Sequence, residues 1–304
     1  LTGQLTIKWA EQYINQYLNT IWKTSNVDYV LYSDTDSLYL NFAPFIDKFN
    51  PSSSVNFLDK ISKDKINPII DQGYHELFNV MGGFSQKMNM KREKICNKAL
   101  WTGKKHYILS VLDNEGVRYE KPKLSIIGIE AIKSSTPALI RSKLKEIFEI
   151  IFQKDQVTVK DYIETVRKEF FQSSPELIAF PRGISFVEKW VDNTSEKGYI
   201  KGTPIHARAA VLYNRLVKEK NLQNKHYYLH NGDNLLYLYL KTPNPIRENI
   251  IGFSDILPKE FELHPYIDYE TQFQKTFLDV IEPIMKKIGW NINPNVETLS
   301  DFYE

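Results

Sequence analysis

The stretch Asp28-Tyr29-Val30-Leu31-Tyr32-Ser33-Asp34-Thr35-Asp36-Ser37-Leu38-Tyr39-Leu40 sets two carboxylates, one residue apart, between two runs of apolar and aromatic residues. Runs of this kind on both sides of a polar centre predict two strands joined by an acidic turn. Two carboxylates one residue apart in a strand point to the same face, and an apolar hairpin can hold them rigidly at its exposed end. Such a pair suits a hard divalent cation with oxygen ligands, above all Mg²⁺ held partly by protein and partly by phosphate oxygens. The same pattern also occurs in loops where it merely caps or solvates a turn.

Outward from the hairpin the hydrophobic period changes. Leu5, Trp9, Tyr13, Ile14, Tyr17, Leu18, Ile21 and Trp22 recur at helical spacing, which predicts an amphipathic helix over residues 3 to 23. Residues 55 to 81 predict helix again, with Pro68 starting a second helix or kinking the first. Residues 105 to 112 and 117 to 129 read as strands on either side of the turn Asp113-Asn114-Glu115-Gly116. Ser134-Ser135-Thr136-Pro137 then opens a long helix through about Phe152, with a hydroxyl to cap its free N–H groups and proline at the first helical position. Helices near 158–171 and 206–219 precede a strand pair around His230-Asn231-Gly232-Asp233. A last helix spans roughly 266 to 288, and residues 291 to 304 read as a flexible tail.

The 304 residues suffice for one large or two modest domains. No stretch approaches the ~20 apolar residues that span a bilayer, so no membrane partner is expected and a cytoplasmic location follows. Cys96 is the single cysteine, which excludes a disulfide framework and a thiolate zinc cluster and predicts a buried structural thiol. The net charge of +2 conceals an asymmetry. Residues 84 to 133 hold eleven Lys and Arg against five Asp and Glu, whereas residues 251 to 304 hold four against ten. A basic middle can neutralise phosphates and an acidic end avoids them, although ordinary solvated faces give the same imbalance.

Tyr32-Ser33-Asp34-Thr35-Asp36-Ser37 resembles motif C of the family B DNA polymerases, usually YGDTDS. Thr102-Gly103-Lys104-Lys105-His106-Tyr107 resembles their K-K-x-Y motif, and the order and spacing of the two fit. The T-even phage branch is further suggested by FLDK at 57–60, Pro68 with Ile70-Asp71 and Gly73, KPKL with Gly128 and Glu130, and SSTP at 134–137. His206-x-Arg208, Tyr213-Asn214-Arg215 and Lys275-Thr276-Phe277 extend the resemblance over essentially the whole chain. It implies that Asp36 is the principal metal-bridging carboxylate, with Asp34 supporting it and Glu93 near the metals. This chain has Lys91 where the branch has an acidic residue two positions before Glu93.

The same resemblance implies that Tyr32, Lys104, Lys105 and Tyr107 meet the primer–template duplex. Ser125 stands where a second duplex-contacting lysine is common, and Lys123 is the nearby substitute. Ser134, Ser135 and Thr136 offer hydroxyls and free N–H groups to a phosphate, or else simply cap a helix. His206 and Arg208 resemble a thumb contact with the primer strand. Leu299, Phe302 and Tyr303 lie in a C-terminal peptide similar to the one with which such polymerases dock on a sliding clamp.

The fold implied is α+β: a palm remnant over residues 1–130, a mainly helical thumb over 131–290, and a clamp-binding tail over 291–304. Motif A, motif B and the exonuclease are not found in the sequence, and no Asn-Ser pair occurs. The opening Leu1 points to a processed product or a fragment. The expected partners are therefore primer–template DNA, deoxynucleoside triphosphates, a sliding clamp and an upstream polymerase half. That half would supply the aspartate completing a site for two Mg²⁺ ions. The competing readings are a duplex- and clamp-binding protein without catalytic duty, and an unrelated metal-dependent phosphatase or nuclease.

Overall fold

The structure, a computed structural model, describes residues 2–129, 131 and 133–292. By packing, the chain divides into Leu1–Leu100 with Ile108–Ser125, and Trp101–Tyr107 with Ile126–Glu304. Both units mix helices with antiparallel strands.

In the first unit, α1 (Thr2–Trp22) buries Ile7, Ala10, Ile14 and Leu18, the single stripe that a 3.6-residue period places on one face. Two asparagines one turn apart on α1 govern the loop that follows. Asn15 accepts from the Tyr29 amide at 2.9 Å and donates to Asp28 at 2.8 Å. Asn19 donates to the Val27 carbonyl at 2.8 Å and accepts from its amide at 3.0 Å, as a neighbouring strand would. The loop then enters β1 (Val30–Asp34), which pairs antiparallel with β2 (Ser37–Leu40). So short a two-stranded ribbon is marginal alone. Here Leu38 and Leu40 pack on a core that includes Tyr29, Phe45 and Ile70, with α2 (Ala43–Phe49) supplying Phe45.

α3 (Ser54–Ile61) runs through a five-residue π-turn, Ser62–Ile66, into α4 (Asn67–Val80). Pro68 sits in the first turn of α4, where its missing N–H costs least, and the widened turn lies immediately before it. Gly73 lets α1 approach α4: a Cβ there would stand 2.9 Å from the Tyr13 ring.

β3 (Lys94–Gly103), β4 (His106–Asn114) and β5 (Val117–Ile127) follow in spatial order β3-β4-β5, joined by two-residue turns. β3 is absent from the sequence expectation because Asn97, Lys98 and Ala99 are exposed in succession, which erases the period-2 signal. Cys96 is half-buried, and burial pushes its thiol up to about 11. The turn aspartate, Asp113, is fully buried. Its carboxylate accepts from the Gly116 amide at 2.9 Å, from Arg118 Nε at 3.2 Å and from Arg92. Arg92 reaches Asp59 of α3 at 2.6 Å, and Arg118 bonds Asn56 of the same helix. Two guanidinium groups thus clamp α3 to the end of the strands.

The second unit opens with a departure from expectation. α5 (Ala138–Gln153) begins one residue later than the sequence suggests, with Pro137 as its N-cap and no hydroxyl capping it. Thr136 is instead buried in the preceding turn, its amide bonded to the Lys133 carbonyl at 3.1 Å. α6 (Gln156–Gln172) is capped by Asp155, and α7 (Pro175–Ile178) leads into β6 (Phe180–Gly183). After α8 (Ile205–Glu219), β7 (Asn234–Tyr239) pairs with β6 and with β8 (Ile250–Phe253).

The expected local strand pair around His230–Asp233 is not formed, for a specific reason. Asn214 of α8 takes both the Leu229 carbonyl, at 2.8 Å, and its amide, at 2.9 Å, while the Tyr213 hydroxyl takes the Tyr227 carbonyl at 3.0 Å. Those backbone groups are no longer available to a strand partner. Gly252 brings β8 against α8, since a Cβ would stand 2.8 Å from the Ala209 carbonyl oxygen. α9 (Tyr269–Phe273), a π-turn and α10 (Asp279–Lys287) close the unit on Phe273 and Phe277. Lys275-Thr276-Phe277 is structural here: Thr276 and Phe277 are buried, and Thr276 bonds the Gln272 carbonyl at 2.7 Å.

Burial works to raise the Asp113 carboxyl, but the Gly116 amide and the Arg92 guanidinium outweigh it and hold the group below the ordinary carboxylate range. A depressed native pKa gives stabilisation that is complete above the unfolded value of about 3.9 and is lost as pH falls through the native value. Asp113→Ala should therefore cost ~3 kcal/mol at neutral pH in denaturant titration, with the difference between variant and parent shrinking below about pH 4.

Candidate active site and nucleic-acid interface

The acidic turn is tighter than the sequence suggests. Asp34 and Ser37 are the last paired residues, so only Thr35 and Asp36 lie between the strands. Thr35 takes φ +52°, costly for a β-branched residue, and its hydroxyl donates to Asp34 Oδ1 at 3.0 Å. The Asp34 carbonyl receives the Asp36 amide at 2.6 Å and the Ser37 hydroxyl at 3.1 Å. Alternation along β1 puts Tyr32 and Asp34, both half-buried, on one face and exposed Ser33 on the other. The Tyr32 ring meets that of Tyr39, its partner in register, at 5.7 Å and a tilt of 48°. Asp36 lies in the turn and is exposed, so strand alternation does not govern it as the sequence argument assumed.

A register irregularity between Val30 and Tyr32 leaves Leu31 as an extra residue, the bulge that commonly re-aims side chains beside a functional site. Among the described residues no group of three or more His, Cys, Asp or Glu side chains is placed to hold a metal. Glu93 is exposed just before β3, and its carbonyl accepts from the Glu115 amide at 2.6 Å. The structure therefore does not bring Glu93 to the hairpin pair as a third ligand. Asp34 and Asp36 are hard oxygen donors of the type that Mg²⁺ takes, and they fit it as part of a shell completed by water, phosphate oxygens or another carboxylate.

Lys104 and Lys105 form the two-residue turn between β3 and β4, both exposed, with Lys105 at φ +59°. The turn is held from behind. Thr102 donates to the His106 carbonyl at 3.2 Å, and His106 Nδ1 donates to the Lys104 carbonyl at 2.8 Å. Gly128, at φ +71°, lies so close that a Cβ would stand 2.1 Å from the Lys105 carbonyl oxygen. Tyr107 is buried beside Trp101, at 6.2 Å between rings, where it supports the turn rather than facing solvent. Lys123 is exposed with its ammonium 4.3 Å above the Tyr119 ring. At Ser125 the hydroxyl accepts from Lys94 at 3.2 Å, a cation that the sequence reading missed.

His206 and Arg208 begin α8 but stand about 200° apart around it, and buried Ala207 lies between them in sequence. They do not share a face. Burial, and then the charge of Arg182, push the His206 ring below the ordinary histidine range. Arg208 donates to Asn249 at 2.7 Å and lies 5.8 Å from the Tyr199 ring centre. Ser134 is exposed and Thr136 buried, so the SSTP segment presents its hydroxyls unequally. Leu299, Phe302 and Tyr303 lie outside the described residues.

Replacing Gly128 by alanine forces a side chain against the Lys105 carbonyl and strains φ, so the lysine turn must shift. Gly128→Ala should shift the amide resonances of Lys104 and Lys105 in a two-dimensional NMR spectrum, and Gly116→Ala, also at positive φ but with open space around it, should leave them in place.

No family profile matches the chain. Two known proteins do. The DNA-directed DNA polymerase of Escherichia phage RB69 is 33% identical over 302 residues, covering 92% of this chain and 32% of the phage protein. That of Enterobacteria phage T4 is 30% identical over 305 residues, covering 94% of this chain and 33% of its own length. The chain thus spans about a third of the length of these relatives, at their C-terminal end. With the acidic hairpin and the lysine turn falling inside the matched region, the chain is a relative of the C-terminal part of the T-even phage DNA polymerases, members of family B.

Proposed function

We propose that this chain is the palm end and thumb of a DNA-directed DNA polymerase, and that it works together with an upstream part carrying the rest of the active site. The observation that carries this reading is the acidic turn Asp34-Thr35-Asp36. It is held on a packed core, in a chain matched over more than nine-tenths of its length by two phage polymerases. Residues 1–130 would form the palm portion and 131–290 the thumb.

In this reading a primer 3′-hydroxyl attacks the α-phosphorus of a deoxynucleoside triphosphate and pyrophosphate leaves. Asp36, exposed at the turn, and Asp34, oriented by the Thr35 hydroxyl, would hold Mg²⁺. When bound, Mg²⁺ would offset the charge developing on the attacking and leaving oxygens. The hairpin offers two carboxylates, and the upstream part would contribute a further one to define the second metal position. Lys104 and Lys105 neutralise duplex phosphates or meet groove acceptors without reading a base. His206 and Arg208 would meet the primer strand. Leu299, Phe302 and Tyr303 would supply the apolar anchors for a sliding clamp.

Primer extension with Mg²⁺ and four deoxynucleotides, using the chain mixed with a polypeptide matching the first two thirds of the phage relatives, tests the reading. Synthesis is expected from the mixture and not from the chain alone. Asp36→Ala should lower it by at least ~100-fold while leaving duplex affinity within two-fold. Equal synthesis by Asp36→Ala, or binding without synthesis in the mixture, would favour a non-catalytic duplex-binding protein. Lys104→Ala with Lys105→Ala should weaken binding to all sequences alike and reduce the slope of log affinity against log salt by ~1.8.

A further inference from the structure

The segment that follows α4 carries an apolar surface that the polymerase reading does not use. Val80 is 72% exposed, Met81 61%, Met88 50%, and Phe84 is fully exposed, all within nine residues. Soluble monomers rarely display large apolar side chains in such a cluster unless something covers them.

The segment is ordered by its own bonds. The Met81 amide bonds the Leu77 carbonyl at 2.9 Å, and Gly82, at φ +61°, turns the chain so that the Gly83 amide bonds the Phe78 carbonyl at 3.0 Å. A glycine in that conformation is the usual stop of a helix and satisfies its last carbonyls. Further on, Gln86 bonds both the amide and the carbonyl of Met88, and Met90 packs against the core that carries the hairpin. The apolar side chains are therefore presented on a segment tied down at both ends.

Its charge is one-sided. Between Glu76 and Glu93 there is no acidic residue, while Lys87, Lys91 and Arg92 are all present. Arg92 is engaged with Asp59 and Asp113, and Lys87 and Lys91 are exposed. A partner fitting this surface offers an apolar recess with an acidic rim. The phage relatives extend for about two thirds of their length beyond the matched region, and that is the covering part for which a source is evident.

We infer that Val80, Met81, Phe84 and Met88, flanked by Lys87 and Lys91, form the surface on which the upstream polymerase part docks. This rests on the polymerase reading. The test is sedimentation and titration of the full chain against a polypeptide matching the first two thirds of a phage relative. Three forms are compared: the parent chain, Met81→Asp with Phe84→Asp, and Val157→Asp, an exposed apolar position on α6. Circular dichroism confirms that each is folded. The expected result is binding by the parent and by Val157→Asp, weakened ten-fold or more in the double variant, with the remaining affinity falling further as salt rises. Undiminished binding by the folded double variant overturns the docking surface and leaves the polymerase reading standing. No binding by the parent chain overturns both. A parent chain that self-associates and becomes monomeric in the double variant assigns the surface to a second copy and overturns the inference.

Discussion

The hydrogen bonds from Asn15 and Asn19 to residues 27–29 are the constraint on which the acidic hairpin depends. They fix the chain at the point where helix gives way to strand, and they seat Tyr29 in the core. From there the Tyr29 carbonyl receives the Asn41 amide at 2.8 Å, and the Tyr29 ring meets Phe45 at 5.9 Å. Both ends of the hairpin are thereby anchored. A strand pair this short, with no third strand among the described residues, could not hold two carboxylates in place by its own ladder. Docking its base on an aromatic core converts a marginal ribbon into a rigid support.

The hairpin turns of the first 130 residues share a device. Thr35, Lys105 and Glu115 all adopt positive φ, at +52°, +59° and +52°, where glycine would be easier. Such positions cost of order 1 kcal/mol or more each and persist where the surroundings over-determine them. At Lys105 the compensation is visible, because Gly128 makes room behind the turn. At Glu115 the buried Asp113 and its two arginines hold the turn from below. The acidic turn and the lysine turn thus carry side chains where glycine would have been easier to accommodate.

Much of this was legible in the chain. The stripe of α1, the acidic hairpin, the turn at Asp113–Gly116 and the helices of the second unit all carry strong local signals. The residues that organise them do not. Asn15, Asn19 and Asn214 are polar positions on helices, and nothing local distinguishes an asparagine that mimics a strand from one that is solvated. β3 lacked a period because one stretch of it is exposed on successive residues. The buried state of Tyr107 could not be read from a motif that names it as a contact, and the opposed faces of His206 and Arg208 follow only once both are known to lie on α8. Asp36 shows the same limit, since its place in the turn rather than on β1 depends on a register that only Asp34 and Ser37 pairing reveals.

A hybrid in which this chain replaces the matching third of one phage relative offers the most direct measurement, scored by single-nucleotide incorporation on a primer–template with Mg²⁺. A chain that supplies the acidic hairpin and duplex grip of a polymerase yields a hybrid that extends the primer, and loses extension on Asp36→Ala without losing the duplex. A folded hybrid that binds primer–template yet adds no nucleotide would contradict a catalytic role for Asp34 and Asp36.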